Sequence, residues 1–159
     1  MSRVASKNGK SYTTPRNPWD KVRLDNELQL IGTYGLKNKR ELWKASTIIS
    51  NIRRQARMLL GATAEVREQQ EKKLINRLHD LGLLKEEQLN LDYILNLTVE
   101  DLLERRLQTM LWRKGLAKTV HQARQIVSHK KVVIGDSIVN KPGYLVNIKE
   151  EGLIKVNEN

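Results

Sequence analysis

The chain has no cysteine, no phenylalanine and only three prolines in 159 residues. Without cysteine, disulfides and thiolate metal ligation are excluded. Four tyrosines and three tryptophans are too few to build the stacking platform of a single-strand binder. No apolar run is long enough to span a bilayer, so no membrane partner is expected. The opening MSRVASKNGKSY lacks the apolar core of a signal peptide, which fits a cytoplasmic protein. No glycine-rich phosphate loop of Walker or dinucleotide type is present. His79, His121 and His129 lack metal-ligand pairing, and no hydroxyl or acid is marked as a nucleophile with its base. Neither catalysis, nor a metal, nor a cofactor is expected.

What the chain does have is positive charge. Lys and Arg total 29 against 18 Asp and Glu, a formal net charge of +11. That balance points to a polyanion, either nucleic acid or an acidic membrane surface, and of the two nucleic acid is the expected partner. The charge is segregated. Residues 1–54 carry 12 basic and 4 acidic side chains, residues 55–104 carry 6 and 10, and residues 105–159 carry 11 and 4. Two basic ends flank an acidic middle, which favours localised binding faces.

Residues 1–18 are polar and broken by Gly9, Pro15 and Pro18, and read as an irregular basic arm that can order on RNA. A helix is predicted from about Asp20 to Ile31, interrupted by Gly32 and Gly35. A second spans residues 38–60, with Asn38 and Glu41 at capping-box spacing and Leu42, Ala45, Ile49, Ile52, Ala56 and Leu59 on one stripe. A third runs from Thr63 to about Leu81, with Val66, Leu74, Ile75 and Leu78 as a sparse stripe. Leu89 to Leu97 fits either helix or strand. Thr98 caps a helix that continues to about Lys114. After the helix that follows Thr119, the period changes to that of strands. Val132–Ile134 and Ile138–Val139 flank Gly135-Asp136, Tyr144 to Ile148 alternates, and Leu153–Val156 is a last strand. The expected class is therefore α+β. A mostly helical N-terminal region over 19–104 precedes two helices and a small antiparallel sheet over 105–159.

Residues 105–131 contain eight Lys and Arg and no Asp or Glu. They read as two helices joined at Gly115. In the second, His121, Arg124, Gln125 and Ser128 share one face by helical spacing, and Val120, Ala123 and Val127 share another. An apolar stripe opposite an acid-free polar face suits a phosphate-backbone binder. Thr119 opens that helix, whose free N–H groups favour an anion, and Lys118 adds charge there. His129, Lys130 and Lys131 extend the surface past its end. From the preceding helix, Arg106 and Arg113 share a face, flanked by Arg105 and Lys114. Arg is suited to fork two phosphate oxygens, whereas Lys offers a point charge. Arg106, Arg124 and Lys131 are expected to matter most. Lys37, Lys39, Arg40, Lys44, Arg53 and Arg54 are candidates for a second RNA surface. Trp19, Trp43 and Trp112 are expected in core or RNA-buried packing, and His79 at the surface.

The ordered series Arg106-Leu107, Arg113 to Ala117, Ala123-Arg124-Gln125 and Val127-Ser128-His129 resembles the S-four RNA-binding domain. Val133 to Asp136, Val139 to Pro142 and Tyr144 to Val146 continue the match. Pro15 to Trp19 and Tyr34 to Lys44 resemble the archaeal and eukaryotic branch of the small-subunit ribosomal protein S-four family. That resemblance implies binding to the 5′ domain of small-subunit ribosomal RNA early in assembly. It also implies neighbouring small-subunit proteins including S-five, a place near the messenger RNA entry channel, and an influence on decoding accuracy. Two departures stand out. Val120 and then His121 follow the helix cap, where many such domains carry a basic residue. The cysteine cluster of many bacterial relatives has no counterpart here. A free-standing RNA-binding or ribosome-associated factor would use the same domain, but such factors lack the Tyr34–Lys44 segment. The domain also occurs beside RNA-modifying enzymes and tRNA synthetases, whose catalytic motifs are missing from the preceding residues.

Overall fold

The computed structural model of the protein describes residues 10–85 and 90–157. The first nine residues of the expected arm, and Leu89, lie outside them. Residues 10–20 form neither helix nor strand. They lie on the first helical region, because the Thr13 N–H donates to Thr47 Oγ1 at 3.1 Å and the Tyr12 ring sits against Trp43 with centroids 5.9 Å apart.

Helix α1 spans Lys21–Tyr34 with Asp20 as its N-cap. It runs through Gly32 and stops at Gly35, whose φ of 57° is left-handed. The helix ends where the backbone turns over: the Gly35 and Leu36 N–H groups both reach back to the Ile31 carbonyl. Helix α2, Lys39–Leu60, buries Leu42, Ala45, Ile49, Ala56 and Leu59, the spacing of one helical stripe. Its cap is half of the expected box. Asn38 accepts from the Glu41 N–H at 3.2 Å, but the Glu41 carboxylate takes the Lys37 N–H and Arg106 in place of the Asn38 N–H. Helix α3, Ala64–Asp80, buries Leu74, Ile75 and Leu78 and leaves Val66 exposed. Helix α4, Leu91–Asn96, resolves the ambiguous apolar segment as helix. Helix α5, Val99–Glu104, opens on a complete capping box of Thr98 and Asp101.

The expected single helix from Thr98 to Lys114 is broken. Arg105 ends α5, Arg106 is extended (φ −72°, ψ 141°), and α6 resumes at Leu107–Arg113. The reason is a backbone pairing from far along the chain. Leu107 N–H donates to the Tyr144 carbonyl at 2.8 Å, and Val146 N–H donates to the Arg105 carbonyl at 3.0 Å. This pairing also corrects the expected strand at Tyr144–Ile148. Those residues form a lone bridge, Arg106 with Leu145, and then a short helix, α8, Ile148–Glu151.

Helix α7, Val120–Ser128, follows the Thr119 cap. The sheet has three antiparallel strands in the order β2-β1-β3: β1 is Val132–Ile134, β2 is Ser137–Ile138 and β3 is Ile154–Val156. Gly135, at φ 60°, turns the β1–β2 hairpin. One apolar core gathers residues from Tyr34 to Leu103; a second gathers residues from Leu107 to Ile154. The two cores meet across the Arg105–Arg106 break, between fully sealed Leu103 and Leu107. Truncating either leucine to Ala would cost about 2–5 kcal/mol.

Candidate nucleic-acid interface

Helix α7 is amphipathic. Ala123 and Val127 are sealed in the second core, while His121, Gln125 and Ser128 are exposed. Thr119 accepts from the Gln122 N–H at 3.1 Å, and Gln122 accepts from the Lys118 N–H at 2.8 Å, so the first turn is tied to the chain before it. At the other end Lys130 takes the left-handed conformation, φ 60°. Its N–H reaches the Val127 carbonyl at 3.0 Å, and the Lys131 N–H reaches Ile126 at 3.2 Å. A lysine thus fills the place that glycine usually takes after a helix, a strained choice. His129, Lys130 and Lys131 are all exposed there.

The arginines divide into two groups. Arg106 is almost wholly buried and gives Nη2 to Glu41 Oε2 at 2.9 Å. Arg124 gives Nη2 to Glu41 Oε1 at 3.0 Å and Nη1 to Gln108 Oε1 at 3.3 Å, with a quarter of its side chain still open to solvent. One carboxylate on α2 therefore joins the α5–α6 break to α7. Burial alone would raise the Glu41 pKa, but the hydrogen bonds from Arg124 and Arg106 outweigh it and hold the group below the ordinary carboxylate value. Gln108, fully buried, completes the joint. Its Nε2 donates to the carbonyls of Gly35 at 2.9 Å and Val120 at 3.1 Å. The turn after α1 is thereby seated against the start of α7.

Other candidate cations are also spent on structure. Arg105 donates to the Leu81 and Val146 carbonyls and pairs with Glu151, each at 3.0 Å. Arg53 reaches the Leu97 carbonyl that ends α4. Lys39 pairs with buried Glu27 at 3.2 Å, beside Arg23. Burial would raise that acid's pKa too, but the hydrogen bonds from Trp43, Lys39 and Arg23 lower it on balance. Arg113 forks Glu104, which also accepts from Tyr34, and its guanidinium lies 4.8 Å from the Trp112 ring centroid. Burial, and then the charge of Glu104, push the Tyr34 phenol up to about 12. Lys114 is exposed and donates to the Glu151 carbonyl.

The rest are open. Among the described residues, exposed Lys37, Arg40, Lys44, Arg54, Lys118, Lys130 and Lys131 have no carboxylate within ion-pair distance. Sequence reasoning missed two further residues. Gln108 stood inside an apolar helical stripe, and a glutamine at such a position must find partners. Lys141, noted only within the stretch Val139 to Pro142 that resembles the S-four domain, is exposed and lines a cleft of about 360 Å³ with Glu41, Lys44, Ile48, Arg106 and Tyr144. The three tryptophans, expected in core or RNA-buried packing, differ in burial. Trp43 is half-buried and donates to Glu27 at 3.0 Å, and Trp112 packs on the second core. Trp19 is 88% exposed and belongs to neither core. Arg23 holds the carbonyls of Asn17 and Pro18 at 2.8 and 3.0 Å, which fixes the turn that presents it. His79 is half-buried at the end of α3.

Two family models match adjoining stretches of the chain. The model for the ribosomal protein S4/S9 N-terminal domain covers residues 7–104, and that for the S4 domain covers residues 105–151. The junction falls at the α5–α6 break. Small ribosomal subunit protein uS4 of Ignicoccus hospitalis is 51% identical over 145 residues, 91% of this chain and 87% of that protein. The protein of the same name from Saccharolobus solfataricus is 48% identical over 148 residues, 93% of this chain and 82% of that protein. That from Hyperthermus butylicus is 50% identical over 145 residues, 91% and 82% of the two chains. With both models in register with the two cores and half of the residues shared with these relatives, the chain belongs to the small ribosomal subunit protein uS4 family.

Proposed function

We propose that this protein is a non-enzymatic structural constituent of the small ribosomal subunit, working in the cytoplasm, that binds the 5′ domain of small-subunit ribosomal RNA directly. Its early binding nucleates assembly, and its place near the messenger RNA entry, beside proteins including S-five, supports accurate decoding. The observation that carries the reading is the Glu41 joint. It fixes α7, with its acid-free face, against α2, with its own unpaired cations, so that the two form one rigid basic surface. Ribosomal RNA offers phosphates and 2′-hydroxyls over such a span.

The RNA contacts are assigned to the unpaired cations, to the polar face of α7, and to Arg113, Lys114 and Arg124, which keep solvent-facing surface beside their internal partners. Lys118, His121, Arg124, Gln125, Ser128, His129, Lys130 and Lys131 serve from α7 and its ends. Lys114 and Arg113 serve from α6, and Lys37, Arg40, Lys44 and Arg54 from the first region. Arg53, Arg105, Arg106 and Lys39 act mainly as struts beneath that surface, because each already has a carboxylate or carbonyl partner within the fold. The division into an arm (1–18), a helical domain (19–104) and an RNA-binding domain (105–159) is supported by the two separate cores. Sedimentation through high-salt sucrose gradients tests the reading. A core constituent stays with the small subunit, whereas a free-standing factor washes off and would overturn it.

A further inference from the structure

The cleft between α2 and the 141–145 turn is used by none of the RNA-facing groups above except Lys44. Its floor is apolar: Ala45, Ile48, Leu102, Leu103 and Leu145. Its volume of about 360 Å³ lies near the lower end of small-ligand sites, roughly 300–1,000 Å³. That is room for a flat ring system and too little for a helix. Tyr144 forms part of the wall, and both oxygens of Glu150 hold its hydroxyl at 3.0 Å, which locks the ring. The one acid in the lining, Glu41, is already neutralised by Arg106 and Arg124. The charges left over are Lys44 and Lys141, both exposed and, among the described residues, without a carboxylate partner.

From this arrangement we propose that the cleft receives one unstacked nucleotide of the bound RNA, its base on the apolar floor and Tyr144, its flanking phosphates on Lys44 and Lys141. An apolar slot with a fixed aromatic wall and a cationic rim matches the two parts of a nucleotide. An apolar peptide side chain would fill the floor but leave the two lysines unanswered, and an acidic one would answer a lysine but leave the floor empty. The inference rests on the RNA-binding reading and adds a base-sized site to it. Ile48 is the lever for testing it, because it lines the cleft, is 40% exposed and belongs to neither core, so a larger side chain there has the cleft to occupy.

The test measures binding of the full chain to a transcript of the small-subunit ribosomal RNA 5′ domain across a salt series, with thermal melting as the fold control. Ile48→Trp is expected to weaken binding roughly ten-fold, as losing one stacked base would, with an unchanged salt slope. The Lys44→Ala/Lys141→Ala pair is expected to lower that slope by about 0.7–0.9 for each phosphate that is no longer neutralised. With 4-thiouridine in the transcript, crosslinks are expected within residues 44–48 or 141–145. Unchanged affinity in a folded Ile48→Trp protein overturns the site, as do crosslinks that avoid both segments. Should Ile48→Trp fail to fold, the lysine pair and the crosslinks decide. If Ile48→Trp binds the transcript normally but is lost from small subunits, the cleft belongs to a protein, and the proposal falls. If the unaltered chain does not bind the transcript, the RNA-binding reading itself fails and takes the cleft with it.

Discussion

Glu41 and Arg106 stand 65 residues apart in the chain, yet Glu41 Oε2 accepts from Arg106 Nη2 at 2.9 Å. Only 7% of the Arg106 side chain is exposed. A guanidinium that deep depends on its partner, because removing one member of a buried pair strands the other. Glu41→Gln keeps the shape and removes the charge. It is expected to cost about 2 kcal/mol, the scale of a hydrogen bond to a charged group, read as a lower denaturation midpoint with an unchanged denaturant slope. A midpoint equal to that of the parent would mean that the pair adds nothing net.

The same carboxylate predicts a dependence on pH. Its folded pKa is lowered, so its contribution is complete above the ordinary value of about 4.3 and is lost as pH falls through the lowered one. Arg106 and Arg124 are the charged groups that face it, and the Lys37 backbone N–H also donates to it at 3.4 Å. Glu27 is shifted the same way in both proteins and cancels in a comparison. The stability difference between parent and Glu41→Gln should therefore be constant from pH 7 to about 5 and shrink below 4. Urea unfolding at a series of pH values checks this. A difference that persists undiminished at the acid end would show that the variant acts through packing and not charge.

Lys131 and Arg124 should separate in their effects. Lys131 is exposed and has no carboxylate partner among the described residues; Arg124 is tied to Glu41 and Gln108 with only its outer edge free. Lys131→Ala should leave the melting temperature alone and lower the salt slope of RNA binding by about 0.7–0.9, the share of a single phosphate. Arg124→Ala should lower that slope and also destabilise the fold by about 1–2 kcal/mol. If Lys131→Ala keeps the parental slope, Lys131 does not face the backbone.

Gly35 lies under the joint. Its φ is 57°, and a Cβ there would meet Val120 Cγ1 at 2.8 Å and Gln108 Nε2 at 2.9 Å. Gly35→Ala therefore combines backbone strain with a clash, and is expected to cost about 2–4 kcal/mol. Gly115, at φ 72° with nothing near its missing Cβ, supplies the control at about 1–2 kcal/mol. Equal losses at the two sites, measured by chemical denaturation, would show that the packing of Gly35 on Val120 and Gln108 is slack.

These residues also mark how far the sequence could be read. Local signals were legible. Asp20, Asn38, Thr98 and Thr119 open helices where their side chains accept the first free N–H groups, and Gly135-Asp136 turns a hairpin. The α5–α6 break was not, because helical spacing runs unbroken from Val99 to Arg113 and the cause lies in residues 144–146. The same pairing hid the fate of the Tyr144–Ile148 alternation, whose period of two fits a lone bridge as well as a strand. At the candidate surface, charge pattern showed which face is basic. It could not show that Arg106, Arg105 and Arg53 point inward. Such a choice depends on a carboxylate or carbonyl supplied from tens of residues away. Gly32 teaches a related point: the sequence offers two glycines as stops, and only the one that turns left-handed ends the helix.

Lys130 sets stability against binding. Among the described residues other than glycine it alone has a positive φ, 60°, and it stands where glycine would be free of strain. Left-handed backbone costs an L-residue about 1–2 kcal/mol. Lys130→Gly keeps the turn that closes α7 and the N–H to Val127, so it should stabilise the protein by about 1 kcal/mol. It also removes an exposed cation at the end of the helix, so RNA affinity should fall and the salt slope drop by about 0.7–0.9. A strained lysine at a solvent-exposed turn adds nothing to folding that glycine would not supply. Melting and salt-dependent binding on the same preparation separate the two effects. A variant that is more stable and binds RNA unchanged would show that the Lys130 charge takes no part in the interface.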